Sequence, residues 1–212
     1  MRVNSFNHFR AIAILFIIAG HSFGAVGLEF NTLLELTIRN FIGGGTSLFV
    51  FISGFLFHHV FYHRYVYQKF LLQKFKNVLV PYIILGAIPI YLYVTTRNNG
   101  FGDYFLPNDI GVIHEYLIPI FKYFMSGRFL VAYWYIPFIM VMFLLSPLHI
   151  KYIKISLNIQ LLLIISFSLV SIFIHRPIYN IDVVQSVLYF TPIYLIGITV
   201  SIHKEKIYEY LR

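Results

Sequence analysis

Six long apolar stretches set the fold of this chain, at about 10–28, 41–61, 78–95, 130–148, 155–174 and 183–202. A helix needs roughly 17–25 mostly apolar residues to cross a bilayer, and each stretch reaches that length. Of the 212 residues 59% are apolar and only 11% charged, where a soluble domain averages about 25% charged. The composition sets a soluble fold aside. It predicts one all-α domain over 1–212, a polytopic transmembrane helical bundle. A seventh apolar stretch, "IGVIHEYLIPIFKYFM" at 110–125, is short and holds Glu115, Pro119 and Lys122. It reads as an interfacial or re-entrant helix.

The basic residues give an orientation. With six crossings and the N-terminus inside, the inner segments hold Arg2, Arg10, Arg64, Lys69, Lys74, Lys76, Lys151, Lys154, Lys204, Lys206 and Arg212. The outer ones hold Arg39, Arg97, Lys122, Arg128 and Arg176, so eleven of the 16 basic residues lie inside. Six of the eight acids fall outside: Glu29, Glu35, Asp103, Asp109, Glu115 and Asp182. Lys and Arg favour the cytoplasmic side, so both termini are expected there, in a multi-pass protein of the cell (inner or plasma) membrane. A cleaved signal peptide, with Arg2 and Arg10 as its basic region and "GAVG" as its cleavage site, is the weaker reading of the first span. The net charge of +8 lies between apolar spans, which points to topology signals or an anionic substrate and away from nucleic acid. Cysteine is absent, which excludes disulfides, thiolate nucleophiles and thiolate metal sites.

The first span reads "NHFRAIAILFIIAGHSFG". Arg10 and His21 are eleven residues apart. At ~100° per residue their directions differ by about 20°, and at 1.5 Å rise they stand roughly 16 Å apart, about half of a hydrocarbon core. Arg10 can reach the headgroups while His21 sits near mid-depth. Gly20, Ser22 and Gly24 leave room beside it for another helix or a ligand. An imidazole there can hydrogen-bond between helices or take a proton near neutral pH. Arg10 can equally be a topology anchor.

Other segments carry weaker signals. In "GGGTSLFVFISGFLF", Gly43–Gly45 suggests a flexible or closely packed start, and Ser53-Gly54 permits tight helix contact. The stretch 58–82 interleaves basic and aromatic residues. Arg64, Lys69, Lys74 and Lys76 suit either headgroup anchoring or charge-assisted binding of an anionic cofactor. His58, His59 and His63 have the density of a metal cluster but no carboxylate, and no metal is expected. Trp134, between Tyr133 and Tyr135, fits an aromatic belt at the outer interface or stacking on a sugar ring. Pro192 in "YFTPIYLIG" suggests a kink and Gly197 close packing.

Taken in order, Arg10 and His21, "LFVFISGFLF", the basic run into "VPY", "WYIP" and "YFTPIYLIG" resemble the membrane-bound acyltransferase family 3 from about residue 5 to 200. The resemblance implies transfer of an acyl group, usually acetyl, from acetyl-CoA or another acyl-CoA at the cytoplasmic side to a hydroxyl of a cell-surface glycan or polysaccharide. No permanently bound cofactor is implied. It carries the family's essential Arg and His onto Arg10 and His21. It implies an Arg-x-x-Arg pair where this chain reads Lys74-Phe75-Lys76-Asn77. Lys74 keeps the charge without the planar fork, Asn77 loses it, and Lys76 is the candidate to compensate. Relatives usually carry more spans, so a C-terminally shortened bundle is expected.

On this reading Arg10, Lys74 and Lys76 hold the donor's phosphates and His21 is the general base or, failing that, an acyl relay. Ser53 or Ser22 positions the reacting group, and Trp134 and Tyr135 meet the acceptor. A proton-coupled transporter would also use a mid-membrane His, yet more often shows inverted repeats and a mid-span carboxylate. Neither is visible in the sequence. A catalytically degenerate relative is the third class.

Overall fold

The computed structural model describes residues 4–26, 30–97, 104–105, 110–130, 132–176 and 181–210, with side chains from His8 to Phe23 in the first helix. Arg2, Glu29, Asp103, Asp109 and Arg212 of the charge map, and most of the polar loop at 95–109, lie outside the described residues. Every regular element among the described residues is helical. In order these are α1 (Asn4–Val26), α2 (Leu33–Gly43), α3 (Gly45–Leu56), α4 (Tyr67–Lys74), α5 (Val80–Thr96), α6 (Ile118–Ser126), α7 (Tyr135–Leu144), α8 (Ser146–Ile153), α9 (Leu157–Ile174) and α10 (Val183–Tyr210).

Among the described residues four helical runs are long and apolar enough to cross a membrane: Leu33–Arg64, Tyr67–Thr96, Leu157–Ile174 and Val183–Tyr210. The bent pair α7 and α8 makes a fifth if it counts as one span. α1 contributes a shorter apolar stretch, His8–Phe23. The run from Leu33 begins eight residues before the expected 41, because a capping box starts it. The Thr32 hydroxyl accepts from the Glu35 N–H at 3.3 Å, and the Glu35 carboxylate accepts from the Thr32 N–H at 2.8 Å. These bonds satisfy two of the orphan donors of a helix start. The segment at 110–125 is helical from Ile113 to Ser126 and is not among the long spans. It ends at Gly127, whose φ of +67° a side chain would strain.

Three stretches widen into π turns: Phe57–Phe61, Phe75–Leu79 and Ile113–Leu117. The last two have a physical cause two residues on. Pro81 and Pro119 lack an N–H, and each ring would crowd the carbonyl four residues back, at Asn77 and Glu115. Widening the turn relieves that clash. Pro147, one residue into α8, likewise removes a bond across the α7–α8 junction. Pro192 lies inside α10, which runs through it as one element.

The chain divides into two compact units. The first comprises Met1–Arg64, His149–Leu169 and Phe190–Arg212. Its helices pack through small residues, as membrane helices do in the absence of a hydrophobic drive between them. A Cβ on Gly45 would stand 2.6 Å from Phe16 Cβ, one on Gly54 would strike the Tyr194 carbonyl, and one on Gly197 would strike the Phe51 carbonyl. α9 shows the inverted polarity of a lipid-facing helix: Leu161, Leu162 and Ile165 are exposed while Gln160 is buried. The Gln160 amide donates to the Tyr152 carbonyl at 3.1 Å.

The second unit comprises Tyr65–Leu148 and Val170–Tyr189. Its core is largely aromatic, with Tyr82, Phe105, Tyr123 and Phe129 buried beside Ile90 and Val94. Phe105 stacks on Tyr123 at 4.2 Å between centroids, and Tyr123 on Tyr93 at 5.6 Å. The Tyr82 hydroxyl donates to the Phe124 carbonyl at 2.7 Å. Tyr65 and the fully buried Ser146 share a hydrogen bond of 2.8 Å. Burial pushes the Tyr65 hydroxyl above its usual pKa, with the Ser146 bond pulling the other way.

Candidate functional site

α1 is one unbroken helix from Arg10 through His21, so the helical arithmetic for these two residues applies without correction. Ala13, fully buried, lies in the packed stripe of the helix with Phe16, Ile17 and Gly20. The Gly45 contact reaches Phe16, the Ala13 carbonyl and the Ile17 N–H. Phe16 meets Phe41 edge-on at 5.3 Å, and a Cβ on Gly20 would sit 3.9 Å from Ile42 Cγ2. The small residue beside His21 therefore serves helix packing. Arg10 and His21 lie roughly 70–90° around the helix from the middle of that stripe. Both side chains are exposed on one edge. The Ser22 hydroxyl donates to the Ile18 carbonyl at 2.9 Å, which leaves its lone pairs to accept.

Ser53 is half-buried on α3, its hydroxyl donating to the Phe49 carbonyl at 3.0 Å. It precedes the Gly54 crossing in the same unit as Arg10 and His21. Farther along, His58 Nδ1 is 2.8 Å from Ser201 Oγ, and Tyr152 and Thr199 share a hydrogen bond of 2.6 Å. His149 is only 5% exposed, with its ring 4.9 Å from Tyr194 and 5.6 Å from Phe57. Its Nδ1 finds no partner among the described residues. The sequence pattern did not single out His149, because a His beside Lys151 reads as interfacial. Among the described residues no three His, Asp or Glu side chains are grouped to hold a metal.

The other candidates belong to the second unit. Lys74 is half-buried, its ammonium 4.8 Å from the Phe143 ring and 5.4 Å from Phe70. Such cation–π seats are worth ~0.5–2 kcal/mol depending on desolvation. Lys76 and Asn77 are exposed on the π turn. The aromatic-belt reading of Trp134 needs correction. The residue is 6% exposed, packed 6.3 Å from Phe138 and 6.3 Å from Tyr135, so its ring does not face lipid. Tyr135 is half-buried, and Tyr133 stacks on Tyr82 at 6.0 Å.

An exposed guanidinium and an exposed imidazole on one helix edge make a pair that can hold an anion at one point and move a proton at another. A family model described as an acyltransferase domain matches residues 3–211. No match is found among curated proteins or solved structures. With the family model spanning nearly the whole sequence and the apolar helices in place, the chain belongs to acyltransferase family 3 and is a multi-pass membrane acyltransferase that transfers groups other than aminoacyl groups.

Proposed function

We propose that the enzyme moves an acyl group, acetyl in the first instance, from cytoplasmic acyl-CoA to a hydroxyl of a cell-surface glycan or polysaccharide. The observation that carries this reading is the shared edge of α1, where Arg10 and His21 are both exposed and roughly 16 Å apart. That offset suits a donor whose phosphates and thioester are separated by a long arm. Arg10 grips phosphate through its planar fork, with Lys74 and Lys76 as further candidate phosphate contacts. His21 takes the proton from the acceptor hydroxyl as its oxygen attacks the thioester carbonyl. The C–O bond forms, the C–S bond breaks, and the imidazolium returns its proton to the departing CoA sulfur. Ser53 and Tyr135 remain the candidates for acceptor contacts, Tyr135 by stacking on a sugar ring with the enclosed Trp134 behind it.

The orientation that goes with this reading has both termini in the cytoplasm and the protein in the cell (inner or plasma) membrane, and the excess of Lys and Arg on the inner side of the six-span map supports it. The test uses membranes carrying the wild type, His21→Ala or His21→Gln at matched abundance, supplied with acetyl-CoA. Acylated glycan is followed by mass spectrometry and free CoA thiol by colorimetry. Both signals are expected to fall by about 10²-fold or more, the range of a lost general base. Full activity in either variant would overturn the assignment.

A further inference from the structure

In the second unit an exposed aromatic ring stands between a cation and a carboxylate that the charge map places outside. Tyr104 is 46% exposed and meets the fully buried Phe105 edge-on at 4.8 Å. Phe105 stacks on Tyr123, so the exposed ring is anchored to the aromatic core. Lys122, half-buried on α6, donates to the Tyr104 carbonyl at 2.7 Å, with its ammonium 4.8 Å from the ring centroid. Asp182 stands before α10, next to Ile181, which packs on the same core. Its Oδ1 accepts from the Val184 and Gln185 N–H groups at 2.8 and 3.1 Å, which leaves Oδ2 to accept from elsewhere. Asp182 is close enough for its charge to act on Tyr104. Burial first, and then that charge, hold the Tyr104 hydroxyl above its usual pKa, so it stays a protonated donor. Among the described residues neither Lys122 nor Asp182 joins an ion pair. The next charges along this end, Arg97 and Glu115, pair with each other at 3.8 Å.

We propose that Tyr104, Lys122 and Asp182 form a subsite for an uncharged glycan, with a sugar residue held against the ring between the ammonium and the carboxylate. The proposal rests on the acceptor reading above and adds to it a charge class and three residues. A sugar carries apolar C–H faces and a rim of hydroxyls, each of which donates and accepts. The group offers the complement of both: the open part of the Tyr104 ring, the remaining protons of Lys122, the phenol O–H, and Oδ2 of Asp182. A hydroxyl can bridge an ammonium and a carboxylate that do not pair with each other. One cation set against one carboxylate leaves no net field to draw an anion, which selects a neutral chain. An interfacial anchor would need only the ring and the cation to meet lipid phosphate. Asp182 would repel that phosphate. An ammonium within the apolar run of α6 is itself costly, which favours a functional role for Lys122.

The experiment applies the full chain in phosphatidylcholine nanodiscs to an array of neutral and of uronate- or sialate-bearing oligosaccharides, and titrates each hit by interferometry. Wild type is compared with Tyr104→Ala, Tyr104→Phe, Asp182→Asn and His21→Ala. Tyr208→Ala is the control, an exposed tyrosine (53%) near the far end of α10. Asparagine caps a helix as well as aspartate does, so Asp182→Asn removes the acceptor oxygen and the charge while α10 keeps its start. Neutral oligosaccharides are expected to bind, and Tyr104→Ala and Asp182→Asn to weaken them by about tenfold or more. Tyr104→Phe, His21→Ala and Tyr208→Ala should stay near wild type. No hit, hits confined to the anionic glycans, or losses no larger than that of Tyr208→Ala would overturn the subsite. Glycan binding that needs Tyr104 and Asp182 in a protein unable to transfer acyl groups would keep the subsite and defeat the acyl-transfer reading. Acyl transfer to a neutral glycan with unchanged KM in both variants would do the reverse.

Discussion

Gly54 and Gly197 face each other's helices with no room for a methyl group, which makes Gly54→Ala a sharp test of the packing. A Cβ at Gly54 would stand 2.9 Å from the Tyr194 carbonyl carbon and 3.2 Å from its Cα, besides striking the oxygen. Carbon atoms in contact prefer about 3.5–4.0 Å, so α3 and α10 must separate by about 0.5–1 Å. A gap of that size forfeits a quarter to a half of each contact's ~0.1–0.2 kcal/mol, over the several tens of atom pairs along the crossing. Overpacking of this kind costs ~1–3 kcal/mol. The change should lower the melting temperature by about 2–12 °C, at ~2–4 °C per kcal/mol for a chain of this size. The assay is thermal melting of the purified protein in detergent, followed by fluorescence-detected size exclusion. Gly43→Ala is the matched control, because nothing lies within 4 Å of its Cβ position; it should melt at or slightly above wild type. In the double variant Gly54→Ala/Gly197→Ala the second methyl should cost less than it does alone, since the helices have already parted. Wild-type melting of Gly54→Ala would refute the close crossing.

Three further outcomes follow from named contacts. In a double-mutant cycle of Tyr152→Phe and Thr199→Val, the 2.6 Å bond between the two hydroxyls should appear as a coupling of ~1 kcal/mol in melting; additive single effects would deny the bond. Lys74→Met should cost ~0.5–1.5 kcal/mol of stability, and Lys74→Arg should retain most of it, because the seat between Phe70 and Phe143 is cationic. Equal melting of all three proteins would show that the aromatic seat contributes nothing. Moving the imidazole by one position, His21→Ala with Ser22→His, swings it about 100° around α1. Acyl transfer should then stay as low as in His21→Ala alone, and near-wild-type activity would refute the requirement for one shared edge.

The features that could be read from the sequence were those set by local geometry. Arg10 and His21 share an edge because a helix repeats at fixed angle and rise, and α1 is unbroken across them. The early start of α2 is equally local but is masked in the hydropathy pattern. Glu35 and Arg39 interrupt the apolar count that defines a span, while Thr32 and Glu35 spell the capping box that begins the helix. Hydropathy measures where a span can sit; caps and prolines decide where the helix begins and where it widens. Gly45, Gly54 and Gly197 were legible as small residues, though not which backbone each admits.

Partners distant in sequence remained hidden for a different reason. Phe70, four residues before Lys74, is a neighbour any helix provides, but Phe143 comes from α7 and leaves no trace in the sequence around Lys74. Trp134 has the composition of an interfacial anchor, and only the packing of α7 shows its ring to be enclosed. His149 shows the limit most clearly. In lipid an exposed polar group is costly, so a lone His in an apolar run says that something must cover it, without naming what. Here Phe57 and Tyr194 cover it, from 92 residues before and 45 after. Chemistry that depends on one helix was therefore legible as geometry. Chemistry that depends on two helices was legible only as a residue in want of a partner.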